Sequence, residues 1–271
     1  MEFFRSVGCG ITELLACYFL LSALMVIFSC IFRRVGSLTV HGKLNFRASG
    51  LGNGEKTVVY VLLKKISKIS VSKSLFSHFY LVGIFTTLCF IYIKPTSYRT
   101  ILFLVHVLRR YLEEKIICIH NTEYSEMNVF VYLYGLSYYI AMPTMIYSIP
   151  ELSRKTAIYQ FSLFVLFSVL QIESHIALSD IRRNKGLKYG IPYGMLFKYV
   201  SSPHYLCEIC IYTSLFFDVF IDFKYVHVMA ALVYIVLCMS INAIRTHNWY
   251  LEHFKNSYVI LRRKVIVPFL F

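Results

Sequence analysis

Ionisable side chains interrupt apolar stretches of this chain, most densely in its second half. Gln171, His175, Ser179 and Arg182 are spaced i, i+4, i+8 and i+11, so they share one helical face. Glu173 lies on the same stretch, and Arg183 completes a basic pair with Arg182. Such a polar stripe suits the wall of a wet, anion-accepting cavity; a helix end with snorkelling arginines would read the same way. His204 and Glu208 stand one helical turn apart, placed either to hold a ligand or to bond each other. Asn242, Arg245, His247 and Tyr250 close a later apolar run, as a polar lining or as an interfacial belt. Upstream, His106, Arg110 and either Glu113 or Glu114 fall on one face, where Arg110 can pair with a carboxylate. At membrane depth such groups are costly unless they are paired or used.

Other chemistries find less support. Cys207-Glu208-Ile209-Cys210 is a lone C-x-x-C without the second pair or histidines that a zinc site needs, so no metal is expected. The run Ser49-Gly50-Leu51-Gly52-Asn53-Gly54 has neither the glycine spacing nor the strand–turn–helix setting of a dinucleotide fingerprint and reads as a loop. G-x-S-x-G, H-E-x-x-H and P-loop patterns are absent, as is Asn-x-Ser/Thr. His41, His120, His227 and His253 have no partner pattern.

The elements that must position these residues are membrane spans. Of 271 residues, 58% are hydrophobic and only 15% charged, and mean hydropathy is +0.62. Soluble domains carry about 25% charged residues, so this composition excludes a soluble globule and a disordered chain. Eight cysteines are too few for a secreted disulfide scaffold. An all-α polytopic membrane protein remains. Apolar runs predict spans at Ile11–Phe32, Leu75–Ile93, Met127–Ile149 (with a kink at Pro143), Ala157–Leu178, Tyr205–Asp222 and Tyr225–Ile244. A weaker run, Tyr98–His120, is broken by Arg109-Arg110 and Glu113-Glu114 and makes seven transmembrane helices.

Seven spans sort the charge. Residues 33–74, 109–126, 179–204 and 245–271 hold 22 of the lysines and arginines, and the segments on the other side hold 6. Basic loops face the cytosol, so the C-terminus is expected there and the N-terminus in the lumen or exterior. The net charge of +14 is then a topology signal rather than a sign of nucleic-acid binding.

Longer strings carry a resemblance. Ser179-Asp180-Ile181-Arg182-Arg183-Asn184-Lys185-Gly186 is followed by Tyr189-Gly190-Ile191-Pro192-Tyr193-Gly194 and by Val200-Ser201-Ser202-Pro203-His204-Tyr205. The chain closes on His247-Asn248-Trp249-Tyr250 and Arg262-Arg263-Lys264-Val265-Ile266-Val267-Pro268-Phe269-Leu270-Phe271. Together they resemble the C-terminal domain of the steroid 5α-reductase family, and within it the polyprenol (polyprenal) reductase branch. Val105-His106-Val107-Leu108-Arg109-Arg110-Tyr111-Leu112-Glu113, Lys73–Tyr80 and Tyr134–Tyr139 extend the match to residues 71–271. Residues 1–70 read as a membrane anchor and a basic cytosolic loop.

The resemblance implies a seven-helix reductase of the endoplasmic reticulum membrane that binds NADPH between helices near the cytosolic face. It acts on a polyprenoid lipid in dolichol biosynthesis, in support of protein N-glycosylation, with no obligate protein partner expected. Carried over residue by residue, the cofactor positions are Arg110, Gln171, His175, Arg182, Tyr189, His204, Glu208, His247 and Tyr250. Steroid reductases polarise their ketone with a Glu and a Tyr, and the matching positions here are Phe79 and Val107. That departure argues against a steroid substrate. Hydride addition needs an electron-poor β-carbon, which an α,β-unsaturated aldehyde has and an allylic alcohol lacks. An enolate donor is then required, and His78, Tyr80 and His106 are the candidates. A steroid or enoyl-thioester reductase of the same fold, or a seven-helix receptor or transporter, are the alternatives that cofactor binding and a product assay would separate.

Overall fold

The computed structural model describes residues 2–31, 69–95, 97–117, 126–150, 154–184, 189–219, 225–268 and 270. The glycine-rich run at Ser49–Gly54, the basic stretch around it, His41 and His120 lie outside the described residues.

Among the described residues seven long helices follow one another: α1 (Glu2–Ile31), α2 (Phe76–Ile93), α3 (Tyr98–Leu112), α4 (Val129–Tyr147), α5 (Arg154–Asn184), α6 (Pro203–Phe216) and α7 (Val226–Phe254). A short α8 (Asn256–Val259) trails them. Two three-residue strands, β1 (Ser70–Ser72) and β2 (Glu126–Asn128), pair antiparallel with Val71 opposite Met127. They tie the start of α2 to the start of α4. Five helical stretches, at Gly10–Ile31, Lys73–Ile93, Val129–Tyr147, Thr156–Asn184 and Val226–Phe254, are long and apolar enough to cross a membrane. The other two helices, α3 at 15 residues and α6 at 14, fall short of the roughly 20 residues a span needs.

Local sequence explains the helix starts. Asn128 caps α4 by accepting a hydrogen bond from Phe130 N at 2.9 Å, and Ser97 caps α3 through Thr100 N. Pro203 opens α6 at a position where its missing N–H costs nothing. Pro143 does not end α4, which continues to Tyr147.

Several boundaries differ from expectation, among them the start of α1, at Glu2 rather than Ile11. Helix α5 runs past Leu178 to Asn184, and α7 past Ile244 to Phe254, so polar residues read as loop continue their helices. Conversely, α6 stops at Phe216, short of Asp222. Arg99 lies in the first turn of α3 and is 2% exposed. Its guanidinium pairs with Asp218, donates to the Pro150 carbonyl, and reaches Leu215 O at 3.2 Å. Gln160 holds the other Asp218 oxygen at 2.9 Å. This buried knot joins the ends of α3, α4 and α6 to α5.

The helices close into a ring. Helix α1 packs on α7, α7 on α6, α6 on α5, and α2 on α4, while α1 also meets α4. Helix α3 touches α2, α4, α5 and α6. Phe103, Val107, Met142, Met145, Ile211, Tyr212, Phe216 and Ala231 are buried in the shared core with Phe19 of α1. The many exposed leucines, isoleucines and phenylalanines on the outer helix faces suit a hydrocarbon surround.

Candidate active site

A charged network fills the space where α3 meets α5 and α6. His106 of α3 is fully buried, and Glu113, at the start of the π turn Glu113–Ile117, is 3% exposed. Both arginines converge on that carboxylate. Arg109 donates to Glu113 Oε1, and Arg110 Nη1 to Glu113 Oε2 at 2.5 Å. His175 of α5 reaches Glu113 Oε2 through Nδ1 at 2.7 Å, with Arg110 Nη1 2.9 Å away. Arginine offers no acceptor, so the imidazole tautomer with its proton on Nδ1 satisfies the carboxylate.

The network continues to α6 through Gln171. Its carbonyl oxygen accepts from Arg109 Nη2 at 2.6 Å. Its amide nitrogen donates to the Glu208 carboxylate and to the His204 carbonyl, the latter at 3.1 Å. Arg109 Nη2 also donates to His106 Nδ1 at 3.1 Å, which leaves the Nε2 hydrogen of that ring facing Glu208 Oε1 at 3.4 Å. Arg110 Nη2 donates to Tyr80 Oη of α2 at 3.1 Å. Two guanidiniums are thus matched by two carboxylates, and neutral amide and imidazole groups occupy the remaining positions. Pairing of this kind is what permits charge at such depth.

A second group sits where the C-terminal tail returns. Lys255 and Arg262 adopt positive φ angles of 46° and 49° and turn the chain back after α7 and α8. Lys264 then pairs with the segment before α6: Lys264 N donates to Tyr199 O at 2.8 Å, and Ser201 N to Lys264 O at 2.9 Å. Under this clasp, Ser201 Oγ lies 2.6 Å from His247 Nδ1 and accepts from Tyr258 Oη at 2.5 Å. Tyr250 stacks on Tyr258, with ring centroids 5.0 Å apart. Arg263, 7% exposed, lies over the Tyr193 and Tyr258 rings, and among the described residues its Nε and Nη1 have no hydrogen-bond partner. Burial lowers its pKa from the ordinary arginine value. Nearby, the Arg182 guanidinium lies 5.4 Å from the Tyr189 ring, which contacts Trp249 edge-on.

The expected residues therefore divide. Tyr80, His106, Arg110, Gln171, His175 and Glu208 belong to the buried network, with His204 at its edge, its ring 5.7 Å from His175. His247 and Tyr250 belong to the tail group, and Arg182 with Tyr189 forms a third cluster. His78 stands apart: it is exposed on α2 and bonds Tyr132 Oη at 2.9 Å. Of the two acidic candidates, Glu113 takes the arginines and Glu114 is half-buried. Glu208 turns to Gln171 and His106 on other helices rather than serving only as a one-turn partner of His204. Arg109 went unassigned in sequence reasoning, although its i, i+4 spacing to Glu113 is legible. The inward stripe of α5 is real: Gln171, His175 and Ser179 are all buried.

Comparison with known proteins identifies the family. The family model described as 3-oxo-5-alpha-steroid 4-dehydrogenase matches residues 114–271. A polyprenal reductase of Saccharomyces cerevisiae is 32% identical over 215 residues, covering 77% of this chain and 78% of that protein. A polyprenal reductase of Caenorhabditis elegans is 26% identical, covering 96% of this chain and 97% of that protein. The human polyprenal reductase is 28% identical over 65% of this chain and 60% of its own. With more than half its length matched by one family model, and with a 32% identical relative covering 77% of it, the chain belongs to the 3-oxo-5-alpha-steroid 4-dehydrogenase (steroid 5α-reductase) family.

Proposed function

We propose that this chain is an oxidoreductase of the endoplasmic reticulum membrane that uses NADPH to saturate the α-isoprene double bond of polyprenal, a step toward dolichol and hence toward protein N-glycosylation. Residues 71–271 form the catalytic part, and residues 1–70 an anchor and a basic loop. The N-terminus is lumenal and the C-terminus cytosolic. The observation that carries the reading is the charge-matched network linking Arg109, Arg110, Glu113, Gln171, His175 and Glu208 across three helices. A receptor has no need of such a network.

The residues present fit a dinucleotide. Its phosphates need cations, and Arg263 keeps two buried N–H groups without a partner while Arg182 lies on the Tyr189 ring. A carboxamide needs both a donor and an acceptor, and Arg109 Nε and Ser202 Oγ are buried without partners. In this reading Arg182, Tyr189, His247 and Tyr250 hold the adenosine-phosphate portion. Arg110, Gln171, His175, His204 and Glu208 orient the nicotinamide end. The bound cofactor supplies hydride.

The chain's own residues do the rest. Glu208, fixed by Gln171, gives the site an acceptor of set direction. Burial of the network excludes water, which strengthens each hydrogen bond within it. Arg110 polarises the Tyr80 hydroxyl, a candidate donor to the charge that develops on the substrate oxygen, and His106 stands behind Arg109 as a second candidate. His78, bonded to Tyr132 on an exposed face, is the weakest of the three. Apolar Phe79 and Val107 offer no donor to a steroid ketone.

The test is a product assay with purified protein, NADPH, and polyprenal, polyprenol or a steroid enone in turn. Saturated aldehyde from polyprenal alone is the expected result. Turnover confined to the steroid enone would replace this reading with a steroid reductase.

A further inference from the structure

Tyr139 of α4 lies where the charged network meets the apolar wall of α2 and α3. Its ring rests on the α2 backbone: a Cβ added at Gly83 would come 2.7 Å from Tyr139 Cδ1 and 3.0 Å from Val107 Cγ1. Phe79 stacks on its other flank, with centroids 6.4 Å apart and planes 11° from parallel. Gly135, one turn earlier on α4, makes room for Phe79, since a Cβ there would fall 2.8 Å from that ring. Thr86 Oγ1 donates to the Tyr139 carbonyl at 2.9 Å. Two glycines, a hydroxyl and two apolar side chains thus fix this ring in place.

The hydroxyl is used differently from the ring. Tyr80, Tyr212, Glu208 and Arg110 lie within electrostatic reach of the Tyr139 hydroxyl. The Tyr80 ring stands edge-on to the Tyr139 ring at 5.5 Å. Packing alone would be served by phenylalanine, whereas a hydroxyl beside these polar and charged groups offers a donor that a ligand oxygen can bond. A substrate carbonyl would supply that bond.

We propose that Tyr139 is the hydrogen-bond and proton donor to the carbonyl oxygen of the unsaturated aldehyde, with Tyr80, polarised by Arg110, as its second donor. This rests on the polyprenal reading. The β-carbon accepts a hydride from the reduced nicotinamide dinucleotide, and the carbon–carbon π bond breaks. Its electron pair forms the new α-carbon–carbonyl-carbon double bond, while the carbonyl π pair moves onto oxygen. Tyr139 protonates that oxygen, and the resulting enol takes a proton at its α-carbon as it returns the hydroxyl proton. One hydride and one proton, the latter ultimately from water, balance the reduction.

The experiment uses full-length protein in lipid nanodiscs with NADPH and a short isoprenoid enal. Tyr139→Phe is expected to lower kcat on the order of 100- to 1,000-fold, the effect of deleting one oxyanion donor. Its KM for NADPH and its melting temperature should stay at wild-type values. Replacing Tyr139 with a fluorinated tyrosine, which keeps the ring and makes the phenol more acidic, should move the basic limb of the kcat profile to lower pH. Wild-type kcat in Tyr139→Phe, or an unmoved pH profile with the fluorinated residue, would overturn the donor role while leaving polyprenal as substrate. A wild-type protein inert toward every enal but active on a steroid enone would instead overturn the substrate assignment, and the donor role with it. Should Tyr139→Phe fail to fold, the fluorinated protein decides.

Discussion

Glu113 Oε2 lies 2.7 Å from His175 Nδ1, so the carboxylate that ends α3 is fastened to the middle of α5. The same carboxylate holds both Arg109 and Arg110. One acidic group, 3% exposed, therefore contacts two cations, and Glu208 supplies the second negative charge of the network.

Glu113→Gln removes the first of these charges and keeps the shape. Breaking a buried pair by deleting one partner typically costs about 3–5 kcal/mol, because the stranded charge is the expensive part. The expected outcome is a clear drop in melting temperature in detergent or nanodiscs. Glu114→Gln, at a half-buried neighbour, should lose much less. Equal melting temperatures for the two variants would mean that the arginines find other partners.

The contrast between Glu113 and Glu114 marks what sequence could and could not tell. Both fit the helical spacing to Arg110, and only the bundle decides which one faces α5. The long spans were legible because an unbroken apolar run has one physical use. The two short helices, α3 and α6, were harder: Arg109-Arg110 and His204 with Glu208 break their hydropathy because those helices carry the site. The role of Arg99 was illegible for a related reason. A lone arginine beside Lys94 and Pro95 resembles loop charge, and its partners Asp218, Pro150 and Leu215 lie 51 to 119 residues away in sequence. The inward stripe of α5 was visible as a periodicity. Its partners on α3 and α6 were not, since spacing along one helix says nothing of its neighbours. Tyr139 was visible only as the end of the Tyr134–Tyr139 string, with nothing to set its role apart from those of the other 21 tyrosines.

Arg182 tests the phosphate end. Its guanidinium lies over Tyr189, beside the tail group of Tyr250 and Arg263. Arg182→Ala should raise the KM for NADPH more than that for NADH, by the roughly 1.5–3 kcal/mol that a hydrogen bond to a charged group contributes. Steady-state kinetics with both cofactors make the comparison. Equal effects on the two would place Arg182 away from the 2′-phosphate, and no effect on either would remove it from the cofactor site.

Orientation can be read without chemistry. The 22-to-6 sorting of basic residues predicts the C-terminal tail, and with it Arg263 and Lys264, on the cytosolic side. In sealed microsomes a C-terminal tag should be digested by added protease and an N-terminal tag protected. The reverse pattern would set the Arg182 and Arg263 clusters on the lumenal side, away from the cytosolic cofactor pool.

Glu208 separates a cofactor site from a structural knot. It sits on α6 with Gln171 donating to one oxygen and His106 Nε2 3.4 Å from the other, so three helices meet at one carboxylate. Glu208→Gln keeps the volume and the hydrogen-bonding length. It removes the charge and turns one acceptor into a donor aimed at groups that also donate. If Glu208 orients the nicotinamide end, turnover should fall roughly 10- to 150-fold, the equivalent of about 1.5–3 kcal/mol for one charged hydrogen bond. NADPH affinity should weaken with it, while the His106–Arg109 contact on α3 holds the fold. If Glu208 only ties α5 to α6, the variant should lose melting temperature and keep its specific activity per folded molecule. Thermal unfolding and single-turnover kinetics on one preparation decide between these, and full turnover with unchanged NADPH binding would leave Glu208 a structural residue.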